Sequence, residues 1–260
     1  MDQLLLGGYG SPSAANGLVR SAFRPSDDAT IFQLFIPANA QLSVSLHRLS
    51  TILNKTSNLP TISSQVEQMS QTIRTAILSH GIINSTEGQP VYAYEIDGFG
   101  GVNFMDDANV PSLMALPYID FINSTDGIYN NTRKAILSSK NPYWFHSPSS
   151  NLSGIGGPHR GLNRIWPMNW IVQLSASTSV DERMSLLNLL KTTTAGKGLI
   201  HEHFEVGQVN GAGFGRLWFA WGNSLFGEVL LNMAMEEGEL GAEILFGKGA
   251  AAINIADIVG

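Results

Sequence analysis

Ser63-Ser64-Gln65-Val66-Glu67-Gln68-Met69-Ser70-Gln71-Thr72-Ile73-Arg74-Thr75-Ala76-Ile77-Leu78-Ser79-His80 is the stretch that decides the fold class. Its apolar residues Val66, Met69, Ile73, Ala76 and Ile77 recur at spacings of three and four, the period of one face of an α-helix. The segment that follows, 86–109, has no such period and is rich in Gly, Asp and Asn. The same alternation of helix and long connection runs outward in both directions. Helical periodicity is read over 38–54, 63–80, 110–118, 129–138, 164–175, 180–192 and 216–235, with connections at 9–25, 86–109, 141–163 and 195–215. Strand-like alternation is scarce. Start signals agree at three places. Ser179 stands before Val180-Asp181-Glu182 as a capping box, Ser63 is followed by Gln65 and Glu67, and Asn109 precedes Val110-Pro111. The reading is a mostly α chain forming a toroid of helical hairpins, with its loops gathered on one face. No linker or composition shift divides it, so residues 1–260 read as a single domain.

Composition narrows the function. With 260 residues and 43% hydrophobic side chains the chain can bury a sizeable core, which excludes a disordered segment. A net charge of −6 offers no basic field for a phosphate backbone, so nucleic acid is excluded as a partner. Cysteine is absent, which removes disulfides, thiolate metal sites and cysteine nucleophiles. The apolar runs at 31–40 and 226–235 fall short of the ~20 residues a membrane-spanning helix needs. The first residues lack the basic and apolar regions of a signal peptide. Asn-x-Ser/Thr sequons at Asn54, Asn84, Asn123, Asn130 and Asn151 lean towards the secretory pathway or an extracellular location.

Long loops inside a compact domain are usually functional, and four motifs in them carry chemistry. Phe23-Arg24-Pro25-Ser26-Asp27-Asp28-Ala29 sets two adjacent acids after an arginine. Either acid can cap the next helical turn, or one caps while Arg24 holds the other, ionised, in a cleft. Tyr94-Glu95-Ile96-Asp97-Gly98-Phe99-Gly100-Gly101 and Met105-Asp106-Asp107-Ala108-Asn109 concentrate acids and an amide without the spacing of an EF-hand. Such a set suits a sugar, whose hydroxyls each require a donor or acceptor while a ring face packs on an aromatic such as Tyr94, Phe99, Trp144, Trp166 or Trp218. Gly154-Ile155-Gly156-Gly157-Pro158-His159-Arg160 lacks the lysine of a P-loop and the last glycine of GxGxxG, so it does not bind nucleotide. It leaves His159 as a donor or as a satisfied polar residue of a turn. His201-Glu202-His203 lacks the i, i+4 spacing of a zinc-binding HExxH, and no GxSxG elbow is present. Trp218 and Trp221, three apart, read as core or as platform beside Arg216.

Taken in order, FRPSDDA, EIDGFG, MDDANVPSLMALPY, GIGGPHRGLNRIWPM, the HE of HEHF and WFAWGNSLFGE resemble the signature blocks of glycoside hydrolase family 125 over residues 20–230. The resemblance implies an (α/α)6 barrel, exo-acting α-1,6-mannosidase activity on mannose-containing oligosaccharides or glycans, inversion at the anomeric carbon, and no metal or other cofactor. It places the general acid at Asp27 or Asp28 and the general base at Glu202. The family pattern more often has serine where this chain has His203, and Thr and Ala where it has Gly215 and Gly222. An inverting glycosidase keeps its two carboxyls roughly 6.5 to 9.5 Å apart so that water attacks from the face opposite the leaving group. One carboxyl protonates the glycosidic oxygen while the other takes a proton from that water. Arg24, Asp97, Asp106, Asp107, Asn109, His159 and Arg216 are then candidates for hydroxyl contacts, with Trp166 or Trp218 as the stacking surface.

Seven helices do not close a ring of six hairpins, and the FRPSDD block arrives at residue 23, so the barrel is expected to be incomplete on its N-terminal side. The stretch 239–260, rich in Gly and Ala, reads as an extra tail. A second expectation of a different class stands beside the enzyme, namely a noncatalytic mannoside-binding or inactive fragment.

Overall fold

The computed structural model describes residues 3–56 and 59–246, with side chains described as far as residue 235. Six α-helices run among the described residues: α1 (Ile36–Thr56), α2 (Pro60–His80), α3 (Gly127–Ile136), α4 (Pro167–Ala176), α5 (Val180–Thr192) and α6 (Ala220–Phe246). None is long and apolar enough to cross a membrane.

Helices α1 and α2 pack antiparallel along a seam of small side chains. Ser70 Oγ donates to the Ser43 carbonyl at 2.7 Å and Ser63 Oγ to the Ser50 carbonyl at 2.9 Å. Serines at these positions let the two backbones approach and satisfy their own hydroxyls in the seam. Ser63 therefore lies inside α2, which begins three residues earlier at Pro60, rather than starting the helix as expected. The core is centred on α4, nine of whose ten residues are buried; it packs against both α5 and α6. The helix has almost no solvent face, and its two buried amides bond each other, Gln173 Nε2 donating to Asn169 Oδ1. Helix α5 carries the expected cap, with Ser179 Oγ accepting from the Glu182 N–H at 3.4 Å. The Glu182 carboxylate does not return to Ser179; it bonds Ser177 Oγ and Arg133 instead.

The expected helix over 110–118 is not formed. Both oxygens of the Asp106 carboxylate take backbone N–H groups there, Leu113 N at 2.8 Å and Met114 N at 3.0 Å, and the segment winds through consecutive turns. A side chain that captures these donors competes with a helical ladder. Two other starts are late: Arg164-Ile165 belong to a strand, so α4 begins at Pro167, and Arg216, Leu217 and Trp218 lie before α6.

The long connections are ordered by short antiparallel strands that periodicity cannot detect at this length. β1 (Leu34–Phe35), β4 (Glu95–Ile96) and β5 (Val102–Asn103) form one small sheet, in the order β1-β4-β5. β2 (Ile82–Asn84) pairs with β3 (Pro90–Tyr92), β6 (Trp144–Ser147) with β7 (Leu152–Ile155), and β8 (Arg164–Ile165) with β9 (Phe204–Glu205). The pairing β1–β4 joins residues 34–35 to 95–96, and β8–β9 joins 164–165 to 204–205. Loops far apart in sequence are thus drawn together. The expected tail from residue 239 begins within α6, and residues 247–260 lie outside the described residues.

Candidate active site

The Arg24–Ala29 loop is a tight reversal closed by Arg24 N–H to the Asp28 carbonyl at 2.8 Å and Asp27 N–H to the Arg24 carbonyl at 3.0 Å. Asp27 occupies the left-handed region, φ 70°, which aspartate tolerates better than most residues, and its side chain is exposed. Asp28 is buried. Ser26 Oγ donates to its Oδ2 at 3.0 Å and His159 Nδ1 lies 3.5 Å from its Oδ1. Neither acid caps a helix, since α1 starts at Ile36.

Arg24 does not hold either aspartate, as the sequence reading expected. Its buried guanidinium donates through Nε to Glu95 Oε1 at 2.6 Å and lies 5.5 Å from the Tyr94 ring centre. The other oxygen of Glu95 accepts from Ile31 N, Phe32 N and Asn103 Nδ2. One carboxylate in β4 thus fixes the chain on both sides of Asp27-Asp28. Sequence reading missed Glu95 as a functional residue. The signal was its place in the apolar run Val91-Tyr92-Ala93-Tyr94-Glu95-Ile96, where a buried charge requires partners.

Several expected sugar ligands are committed to backbone. Asp97 Oδ1 accepts from Phe99 N at 2.7 Å and Gly101 N at 2.8 Å, forming its own turn. Asp106 serves Leu113 and Met114 as described. Asn109 donates through its amide and backbone N–H to Asp107 Oδ1. Asp107 keeps its Oδ2 buried and without a hydrogen-bond partner among the described residues. Burial, with Asp28 nearby, pushes Asp107 up to about 6, and burial pushes Asp106 up to about 8 against its backbone donors.

The turn Pro158–Arg160 stands between the two proposed catalytic carboxyls. His159 faces Asp28, and the next residue, Arg160, places Nη2 3.3 Å from both oxygens of Glu202. Gly157 ahead of them runs so close to Asp107 that a Cβ there would stand 2.8 Å from Oδ2. Glu202 is 3% exposed, and Arg216 Nε lies 3.6 Å from its Oε2. The loop bearing Glu202 and Arg216 is closed by His201, another residue missed in the sequence. Its Nε2 faces the Thr194 carbonyl at 3.0 Å, its Nδ1 the Arg216 and Leu217 carbonyls, and its ring stacks on Phe214 at 4.0 Å.

Trp166 is buried among the rings of His159, His203 and Phe219. Trp218 is 59% exposed and lies outside α6. Buried polar atoms that make no hydrogen bond among the described residues include Arg24 Nη2, Tyr94 Oη, Asp107 Oδ2, Trp166 Nε1 and Glu202 Oε2, the last in ionic contact with its arginine neighbours. They supply both donors and acceptors, the complement of a polyhydroxylated ligand. Among the described residues no three His, Asp or Glu side chains are arranged to hold a metal ion. A groove of about 780 Å³ lies elsewhere, between α1, residues 117–124 and α6.

Residues 1–231 match the family of metal-independent alpha-mannosidases, GH125. The chain is 49% identical over 234 residues to the Meiotically up-regulated gene 157 protein of Schizosaccharomyces pombe, a match covering 89% of this chain and 45% of that protein. It also superposes, at a TM-score of 0.84 and 33% identity, on a metal-independent alpha mannosidase of Streptococcus pneumoniae solved in a non-productive complex with alpha-1,6-mannobiose. That match covers 89% of this chain and 54% of the other. The chain therefore spans about half the length of these relatives. Sequence blocks, fold and family match agree, and the chain belongs to glycoside hydrolase family 125, the metal-independent α-mannosidases.

Proposed function

We propose that this chain carries the catalytic groups of an exo-acting α-1,6-mannosidase that inverts the anomeric centre. Asp28 is the general acid and donates its proton to the glycosidic oxygen as the bond breaks. Glu202 is the general base and takes a proton from the water that attacks the opposite face. One observation carries the reading: two buried carboxyls, 174 residues apart in sequence (202 − 28), are flanked by the consecutive residues His159 and Arg160. Arg160 and Arg216 place two cationic side chains against the Glu202 carboxylate. Arg24, Tyr94 and Asp107 offer hydroxyl contacts, with Trp166 as the nearest ring surface. The mannobiose bound by the pneumococcal relative supports the linkage. The fold is taken as an (α/α)6 barrel, and this chain spans about half the length of the relatives it matches.

Glu202→Gln is expected to abolish release of mannose while leaving mannoside binding nearly intact; turnover by the variant would remove Glu202 from the role. Because the chain spans about half of its relatives, a second reading stands, a mannoside-binding chain without turnover. It predicts binding of α-1,6-mannobiose to the wild-type chain with no hydrolysis. Location in the secretory pathway is supported by the exposure of all five sequon asparagines, Asn54, Asn84, Asn123, Asn130 and Asn151.

A further inference from the structure

His203 sits one residue beyond the proposed base with its ring buried. Its Nδ1 is 3.4 Å from Arg164 Nη1. A guanidinium is a donor only and keeps its charge throughout the working pH range, so Nδ1 can only accept from it. A ring with one proton must then carry it on the other nitrogen. That nitrogen, Nε2, lies 3.9 Å from Glu202 Oε2. Catalytic hydrogen bonds are often this long before substrate binds and tighten in the complex.

The space for this ring is made by a bare backbone. A Cβ at Gly215 would stand 2.4 Å from His203 Nε2 and 2.8 Å from Cε1, and Gly215 N–H bonds the His203 carbonyl at 3.0 Å. On another side the Trp166 ring packs at 5.9 Å. The charged and titratable groups that act on the ring are Arg164 from β8, His159 and Arg160 from the 158–160 turn, and Glu202 beside it.

We propose that His203 is a positioning residue for Glu202, locked by Arg164 into the tautomer whose Nε2–H is directed at the Glu202 carboxylate. Burial, with Arg164 adding to it, pushes the imidazole down to about 4, so the ring stays neutral and the lock persists through mildly acidic pH. The carboxylate is thereby held towards the cleft by a neutral donor that does not compete for the proton the base must take. This role rests on the assignment of Glu202 as the base; the tautomer itself does not.

The lock is read by NMR of the whole chain labelled with ¹⁵N-histidine. We expect His203 to carry its proton on Nε2, with Nδ1 bare, from pH 7 to pH 5. A proton on Nδ1, or a second proton taken up near the ordinary histidine value, would overturn the proposal. Arg164→Met is expected to release the tautomer, and Arg164→Lys, which keeps a donor, to retain it. The positioning role is read by His203→Phe, checked as folded by circular dichroism. Its kcat is expected to fall about tenfold, a loss of one hydrogen-bond's order, with KM changed little. An unchanged kcat in this variant would overturn the role. Should His203→Phe fail to fold, the same kcat comparison is made between Arg164→Met and Arg164→Lys. A wild-type chain that releases no mannose would count against the mannosidase reading, and the NMR result would still decide the tautomer.

Discussion

Asp27 and Asp28 are one peptide apart, and the backbone separates them. The left-handed turn at Asp27 sends its side chain to solvent, while Asp28 is held inside by Ser26 and His159. Asp28→Asn is expected to lower kcat by about 10²- to 10⁴-fold, the usual scale of general acid catalysis. Asp27→Asn, which keeps a residue type tolerant of the left-handed turn, is expected to leave kcat near wild type; steady-state kinetics on α-1,6-mannobiose compares the two, and the reverse order would reassign the acid. A pH effect belongs to His203. Its folded-state value, about 4, lies below the ordinary 6.5, so between these values the unfolded chain binds more protons. Stability from this residue is full above about pH 6.5 and is lost as pH falls towards 4. Asp106 and Asp107, raised by burial, act with the opposite sign over part of the same range. The comparison of urea midpoints of wild type and His203→Phe from pH 7 to pH 4 isolates the histidine, and the gap between them is expected to change in favour of the variant on acidification. At this scale the sequence shows which residue types gather, and it hides how each is used. Asp97, Asp106 and Asp107 look equivalent on paper and all three accept backbone N–H groups, yet of the three only Asp107 keeps a buried oxygen without a hydrogen bond among the described residues.

The helices were legible where a period or a cap marks them. α2 and α5 follow their apolar spacing, and Ser179 starts α5 as its chemistry requires. The error over 110–118 has a definite cause, because Asp106 removes the donors of Leu113 and Met114 from any helical ladder. Strands of two to four residues fall below the reach of periodicity, although they place Glu95, Arg164 and the Glu202 loop. The cap of α3 was not anticipated. Asp126 accepts from Tyr129 N–H at 2.8 Å at the positive end of that helix. Asp126→Ala is expected to destabilise the fold by about 1 kcal/mol, measured as a lowered midpoint in urea at an unchanged m value. No loss would mean that α3 is held by Tyr129 and Ile136 in the core alone.

For the whole molecule, the order of the sequence blocks carried the family, and the structure supplies the reason those blocks belong together. Residues 24–28, 95, 106–109, 157–166 and 201–216 are joined by two small sheets, the 158–160 turn and the contacts of His201 and Glu95. These junctions are long-range, so no local reading of the chain reaches them. The mannosidase activity asked of this assembly is demanding, because the chain spans about half the length of its relatives. Asp28 and Glu202 are proposed to work as an inverting pair in this chain. Proton NMR of α-1,6-linked mannobiose incubated with the folded 260-residue chain, recorded before the anomers equilibrate, tests this most directly. β-Mannose is expected to appear first; α-mannose appearing first, or no release from folded protein, would mean that the two carboxyls do not work as an inverting pair.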